Sequence, residues 1–321
     1  MSAARIAFVG LTRWSAALAR ALAGRSEAKR VLYADDPEAA RAAQKSGAFT
    51  GSDWNLIGAV DGAQAVIVSG PVARQVELIS AFAPELAPEA SVVALTPVFG
   101  PLLALTLPAG RDLAVAHPLL APRAQDETEP DWQRATAEDF AGGAWMLASA
   151  TGSDTALALG GQLAQAAKAQ AYFFDPTEHD LAAGGAEGAP QLLAAALLSA
   201  ATRPGWTELR RVADRGFATA TRAIEGADVV NWLANREALV GQIDAMTAEL
   251  AQLRAALQAN DEAALLSRLA DGQSQRDAWL RARSSGDWDP TRDSHAMVPS
   301  LSESRGRMLF GGLGRKKGSG S

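Results

Sequence analysis

Short apolar runs without alternation recur along the first half of the chain, each followed by a stretch with helical spacing. Residues 5–10 (RIAFVG) form one such run and end in glycine, and residues 15–22 (SAALARAL) continue in good helix formers. This predicts strand, tight turn and helix. Residues 30–34 predict a second strand, after which Pro37, a favourable first helical residue, opens an alanine-rich helix over 38–46. Residues 64–69 (QAVIVS) predict a third strand with a helix over 76–82, and 91–95, 112–116 and 145–148 supply further strands. Strands that are apolar throughout and alternate with helices belong to a parallel sheet covered on both faces.

After about residue 151 the strand signal stops. Residues 155–170 predict an alanine- and leucine-rich helix, 172–174 a short extended link, and helix returns from Pro176. Residues 191–201 (QLLAAALLSAA) are apolar nearly all round, which predicts a helix buried on every side. One long helix is expected from 229 to about 258, with Leu239, Ile243, Met246, Leu250, Leu253 and Leu257 spaced as a heptad seam. A second helix over 262–282 folds back on it. The seam fits either packing within the domain or a two-fold subunit interface. From 284 the chain is too poor in apolar residues to order itself, which predicts a disordered tail, solvated or carrying a short docking motif near Arg315, Lys316 and Lys317.

Composition narrows the chemistry. A chain of 321 residues is long enough for two cores. Its net charge of −6 gives no positive field to attract nucleic acid or an anionic membrane surface. The absence of cysteine excludes disulfides and thiolate chemistry and suits a reducing cytosol. No signal peptide opens the chain and no uninterrupted apolar run is long enough to span a bilayer, so a soluble, cytoplasmic protein with no membrane partner is expected. With only His117, His179 and His295, a histidine metal site is not expected.

The first strand-turn-helix of a parallel sheet is the usual seat of a pyrophosphate, held on the helix N-terminus. Here the turn reads Gly10-Leu11-Thr12-Arg13-Trp14-Ser15, with Thr12 and Ser15 where a G-x-G-x-x-G pattern has its second and third glycines. These residues, with Ser69 ending the third strand, are the expected cofactor contacts, and Arg13 can add a charge to a phosphate. Asp35 and Asp36 follow the second strand, where a carboxylate accepts from an adenosine ribose and repels a 2′-phosphate, or simply caps the next helix. The expected cofactor is therefore NAD, with NADP possible. His117 ends the strand at 112–116, a position for a base acting on a substrate hydroxyl or for a buried packing residue. His179, at a helix start, reads as structural, and His295 falls in the tail.

The chain resembles the prephenate/arogenate dehydrogenase family over roughly residues 5–283. The resemblance rests on Gly10, the strand Gly62-Ala63-Gln64-Ala65-Val66-Ile67-Val68 and His117-Pro118-Leu119. In the second half it rests on Glu178-His179-Asp180, Pro190, Thr221-Arg222, Trp232 and Asn235-Arg236-Glu237-Ala238-Leu239. It implies a Rossmann-like parallel-sheet domain (1–150) and an all-α substrate and dimerisation domain (151–283), ahead of the compositional tail (284–321). It further implies oxidative decarboxylation of a cyclohexadienol (prephenate or arogenate) in tyrosine biosynthesis by a homodimer. His117 would take the ring hydroxyl's proton, and Arg222 would grip a substrate carboxylate, aided by Gln191 and Trp232. Thr96 stands one position from the family's assisting serine, the family's nearby Asp and Lys are absent, and Glu187-Gly188-Ala189-Pro190-Gln191 replaces its Ser-His-Leu-Pro-His. Two other readings are a non-catalytic dimeric scaffold of the same fold and a dehydrogenase of another hydroxy acid.

Overall fold

The computed structural model describes residues 4–23, 27–121, 131–150, 153–202 and 206–285. The tail expected from 284, with His295, lies beyond these apart from the end of the last helix. The described chain forms two compact units that divide at Pro176 and Thr177.

The first unit is an eight-stranded sheet in the order β3-β2-β1-β4-β5-β6-β7-β8. The strands are β1 (Arg5–Val9), β2 (Lys29–Tyr33), β3 (Gly51–Ser52), β4 (Ala65–Ser69), β5 (Ser91–Leu95), β6 (Asp112–Pro118), β7 (Ala144–Ser149) and β8 (Gln170–Phe173). The helices are α1 (Arg13–Ala23), α2 (Pro37–Lys45), α3 (Leu56–Val60), α4 (Val72–Phe82), α5 (Gly100–Leu103) and α6 (Asp154–Ala166). Because side chains alternate across a strand, Ile6, Phe8, Ile67 and Leu95 join α1, α2 and α6 in one core layer. Ala7, Val9, Val68 and Ala94 join α3, α4 and α5 in the other. Strand order reverses between β1 and β4, so the crevice at their carboxyl ends is the switch point where such sheets bind ligands.

Two departures from the sequence-based expectation lie at one side of the sheet. β7 runs antiparallel to β6, whereas the other neighbouring strands pair in parallel. The segment read as an extended link is β8, paired in parallel with β7. β8 belongs to the sheet, and α6 packs on it with Leu159 and Leu163 buried beside Trp145 and Leu147. The first unit therefore reaches Pro176 rather than ending at 150.

The second unit is helical: α7 (Pro176–Ala183), a π-helical turn Gly184–Gly188, α8 (Ala189–Ala201), α9 (Trp206–Val212), α10 (Arg215–Thr221), a 3₁₀ turn Arg222–Gly226, α11 (Val229–Ala234), α12 (Arg236–Ala259) and α13 (Glu262–Ser285). The single long helix expected from 229 is broken at Asn235, which leaves helical geometry (φ −114, ψ 30) and donates its side chain to the Asp180 carbonyl at 2.7 Å. α12 ends at Asn260 in the left-handed conformation that asparagine tolerates. The π turn lies close against α12: a Cβ on Gly188 would stand 2.5 Å from Cδ2 of the buried Leu239, and one on Gly184 2.9 Å from the Ala238 Cβ.

Helix α8 is not buried on every side as its composition predicts. Only Ala189 and Ala194 are buried, while Leu193 and Leu197 are exposed. The heptad seam is likewise open within one chain, with Leu239 buried but Ile243, Leu250 and Leu257 exposed. By length and composition alone the continuous helical stretch Pro176–Ala201 is apolar enough to cross a membrane, although no uninterrupted apolar run of that length occurs in the sequence.

Two contacts position the first turn. Gly10 adopts φ +96, and a Cβ there would meet the Ser69 carbonyl oxygen at 1.9 Å. The Arg13 Nε donates to Asp139 Oδ2 at 2.9 Å with both side chains buried, which ties the β6–β7 connection to α1. Gly10→Ala is expected to cost about 2–4 kcal/mol through strain and overpacking, read by denaturant unfolding. Asp139→Ala, which strands a buried guanidinium, is expected to cost about 3–5 kcal/mol, with much of it recovered in Arg13→Met/Asp139→Leu. A double variant no more stable than Asp139→Ala would contradict this assignment.

Candidate functional site

In the first unit the crevice is lined by the turn that leaves β1. The missing glycines are replaced by a closed hydroxyl network. Thr12 Oγ1 donates to Ser69 Oγ at 3.0 Å and accepts from the Ser15 amide at 3.2 Å, while Ser15 Oγ accepts from the Thr12 amide at 2.9 Å. Ser69 Oγ donates to the Gly10 carbonyl at 3.2 Å. Thr12 and Ser15 thus cap α1 reciprocally, in the manner of a capping box. Ser15 and Ser69 are buried in doing so.

The residues retain part of what a pyrophosphate needs. The amides of Leu11 and Trp14, at the N-terminal end of α1, carry no intramolecular bond, and helix N-termini favour anions. Gly10 keeps the tight backbone approach. A dinucleotide therefore fits the turn with two amide donors in place of a glycine-lined cradle. Arg13, expected from sequence to meet a phosphate, is buried and paired with Asp139.

The structure brings the turn to His117. The imidazole, buried at the end of β6, lies 5.8 Å from the Trp14 indole, ring centre to ring centre, with the planes inclined at 53°. Thr96, expected to assist it, is fully buried and follows β5, its amide bonded to the Ala116 carbonyl. Its hydroxyl, however, donates to the Val98 carbonyl at 2.8 Å and accepts from the Val98 amide at 3.1 Å. A hydroxyl has one proton to give, and Thr96 spends it on its own turn rather than on His117.

At the end of β2 the two neighbouring aspartates divide the work. Asp36 caps α2, accepting from the amides of Glu38 and Ala39. Asp35 is held in a fork by Arg74, Nη2 to Oδ1 at 2.7 Å and Nε to Oδ2 at 3.2 Å, and accepts from the Tyr33 hydroxyl at 3.2 Å. The hydrogen bond from Arg74 holds the Asp35 carboxyl below its ordinary range. Burial and then the Asp35 charge push the Tyr33 phenol up. Sequence reading missed Arg74, because nothing in the spacing of residues 35 and 74 announces their meeting.

In the helical unit Gln191 and Trp232 bond to one another: the indole Nε1 donates to Gln191 Oε1 at 2.7 Å, and Gln191 Nε2 donates to the Gly226 carbonyl at 3.2 Å. Gln191 so joins α8 to α11 and to the turn that begins at Arg222, which is exposed. The side-chain carbonyl of Asn231, beside Trp232, is buried without a donor. Glu187, in the π turn, keeps exposed surface yet is enclosed enough that desolvation pushes its carboxyl up, against the pull of the Arg283 cation. His179 is buried with Nδ1 3.0 Å from Asp180 Oδ1. Among the described residues no cluster of three metal-ligating side chains occurs.

No protein-family profile matches the chain and no curated protein matches it. Solved structures do. The prephenate dehydrogenase of A. aeolicus, in complex with hydroxyphenyl propionate and NAD+, is similar with a TM-score of 0.77 at 19% identity over 87% of this chain and 99% of that one. The arogenate dehydrogenase of Synechocystis is similar with a TM-score of 0.68, again at 19% identity, over 86% and 99%. A putative prephenate dehydrogenase of Corynebacterium glutamicum has a TM-score of 0.66 at 18% identity over 88% and 89%. The chain has the fold of the prephenate and arogenate dehydrogenases.

Proposed function

We propose that the chain is a nicotinamide-dinucleotide oxidoreductase acting on prephenate, arogenate or a related cyclic hydroxy acid. The observation that carries this reading is the placement of His117 beside Trp14 of the dinucleotide turn. A base next to that turn stands where a substrate hydroxyl must be deprotonated as its carbon is oxidised. A bound nicotinamide supplies the hydride acceptor. His117 accepts the hydroxyl proton at a ring nitrogen, and the carbon–carboxylate bond breaks to release carbon dioxide and leave an aromatic ring. In the helical unit the resemblance assigns Arg222 to a substrate carboxylate, for which a guanidinium fork is suited. Gln191 and Trp232 are assigned contacts to the same substrate, their mutual hydrogen bond fixing both side chains. Leu11, Thr12, Trp14, Ser15 and Ser69 form or brace the cofactor turn. NAD is the first cofactor to test, and the cysteine-free chain fits a reaction in the cytosol.

A second reading, a non-catalytic scaffold of the same fold, is favoured by one observation. Thr96 donates its hydroxyl hydrogen to the Val98 carbonyl, so that hydroxyl does not donate to His117 as the assisting serine of the family resemblance would.

Both readings place a second copy of the chain on the helical unit. Leu193, Ile243, Leu250 and Leu257 are exposed on α8 and α12, and a heptad seam left open in one chain is self-complementary in a two-fold pair.

Two measurements follow. Calorimetric titration with NAD and turnover assays on prephenate and arogenate should show binding and aromatic product. His117→Ala should lower kcat by about 10²–10⁴-fold while nucleotide affinity and melting temperature hold. Binding without turnover on these or on simple hydroxy acids would favour the scaffold, and a wild-type rate in His117→Ala would remove the base assignment. Light scattering should give a dimer that Leu250→Glu/Leu257→Glu converts to a folded monomer; a wild-type monomer at micromolar concentration would end the self-association reading.

A further inference from the structure

Asp35 occupies the position from which a bare carboxylate accepts a ribose 2′-hydroxyl and repels a 2′-phosphate. It is not bare. Of the roughly four acceptor positions on a carboxylate, Arg74 takes two and the Tyr33 hydroxyl a third. The remaining guanidinium nitrogen, Nη1, donates to Glu77 Oε2 at 2.9 Å. Asp35 follows β2 and Arg74 stands in the first turn of α4, which follows β4; these two strands flank β1 in the sheet. The pair therefore links the two sides of the switch point, next to the turn that starts at Gly10. Both partners remain substantially exposed, 40% for Arg74 and 59% for Asp35, and an ion pair so open to water is held weakly.

We infer that Arg74 sets selectivity at the adenosine 2′ position by neutralising Asp35 and by offering its guanidinium to a 2′-phosphate. The inference rests on the dinucleotide reading above. A ribose diol takes the Asp35 carboxylate by displacing Arg74, and a 2′-phosphate takes the Arg74 fork by displacing Asp35. Each cofactor breaks the same ion pair and gains the partner suited to it. The chain consequently accepts NAD and NADP with comparable affinity, and the pair is the element that keeps them comparable. Guanidinium suits this role because its planar fork matches carboxylate and phosphate alike.

The test is calorimetric titration of the full chain with NAD and NADP, in the wild type, Arg74→Met and Asp35→Asn. Methionine keeps an unbranched stem without the charge, and asparagine keeps the shape of the aspartate without its charge. Arg74→Met should weaken NADP by about tenfold or more, the size of one charge contact in a solvated setting, and leave NAD unchanged or tighter. Asp35→Asn should move the ratio the other way, tightening NADP and weakening NAD. Melting curves establish that each variant is folded, and Arg74→Lys should restore part of the NADP affinity as a point charge without the fork. A NAD-to-NADP ratio that is the same in all three proteins overturns the inference and leaves the dehydrogenase reading standing. A folded wild type that binds neither dinucleotide overturns both.

Discussion

The close approach of Gly10 to the Ser69 carbonyl is the constraint on which the crevice depends. β1 and β4 are adjacent in the sheet although two strands separate them in sequence, and the chain leaves both at the same end. The turn after β1 must therefore pass over the end of β4 with no room for a side chain, a separation of 1.9 Å to any Cβ. Glycine is demanded by the protein's own backbone there, quite apart from any ligand. Once that approach is made, Ser69 Oγ reaches the Gly10 carbonyl, Thr12 reaches Ser69, and α1 starts in a defined direction. The amides of Leu11 and Trp14 and the ring of Trp14 beside His117 take their places from that start.

The same packing decides which polar side chains are left for a ligand. A buried donor or acceptor must be paired, and several residues of ligand-binding type have been drawn into the fold to meet that demand. Asp139 holds Arg13, the Val98 backbone holds the Thr96 hydroxyl, and the Thr12–Ser15 exchange caps α1. The chemistry that survives is concentrated in backbone amides, one imidazole and a solvent-exposed Asp35–Arg74 pair. Such a crevice offers an anion main-chain donors and a helix dipole more than dedicated side chains.

In the helical unit, small residues and large ones perform opposite tasks. Gly184 and Gly188 let the π turn sit against Ala238 and Leu239 of α12, at distances that leave no space for a larger side chain. The position matching a family histidine, residue 188, is thereby closed unless the buried Leu239 moves. The leucines of α8 and of the α12 seam are left outward, because an isolated pair of long helices cannot cover a stripe on each. Gln191, fixed by Trp232 and Gly226, connects the inward packing to the turn carrying Arg222.

The sequence by itself determined the alternation of buried strands and helices, the glycine after β1, the histidine at the end of β6, the cap at Asp36 and the helical second half, since each is a local signal of periodicity, backbone freedom or capping. It missed the two-residue β3, too short to show a period, and read β8 as a link, because a strand of four residues at a sheet edge carries little pattern. Only the tertiary structure decided that Arg13 is a core ion, that Asp35 meets Arg74 and that Gln191 meets Trp232. Those outcomes join residues 126, 39 and 41 positions apart. Hydrogen bonds and ion pairs are short-ranged and directional, so which polar groups find one another depends on where the packed backbone delivers them, and no spacing along the chain encodes that.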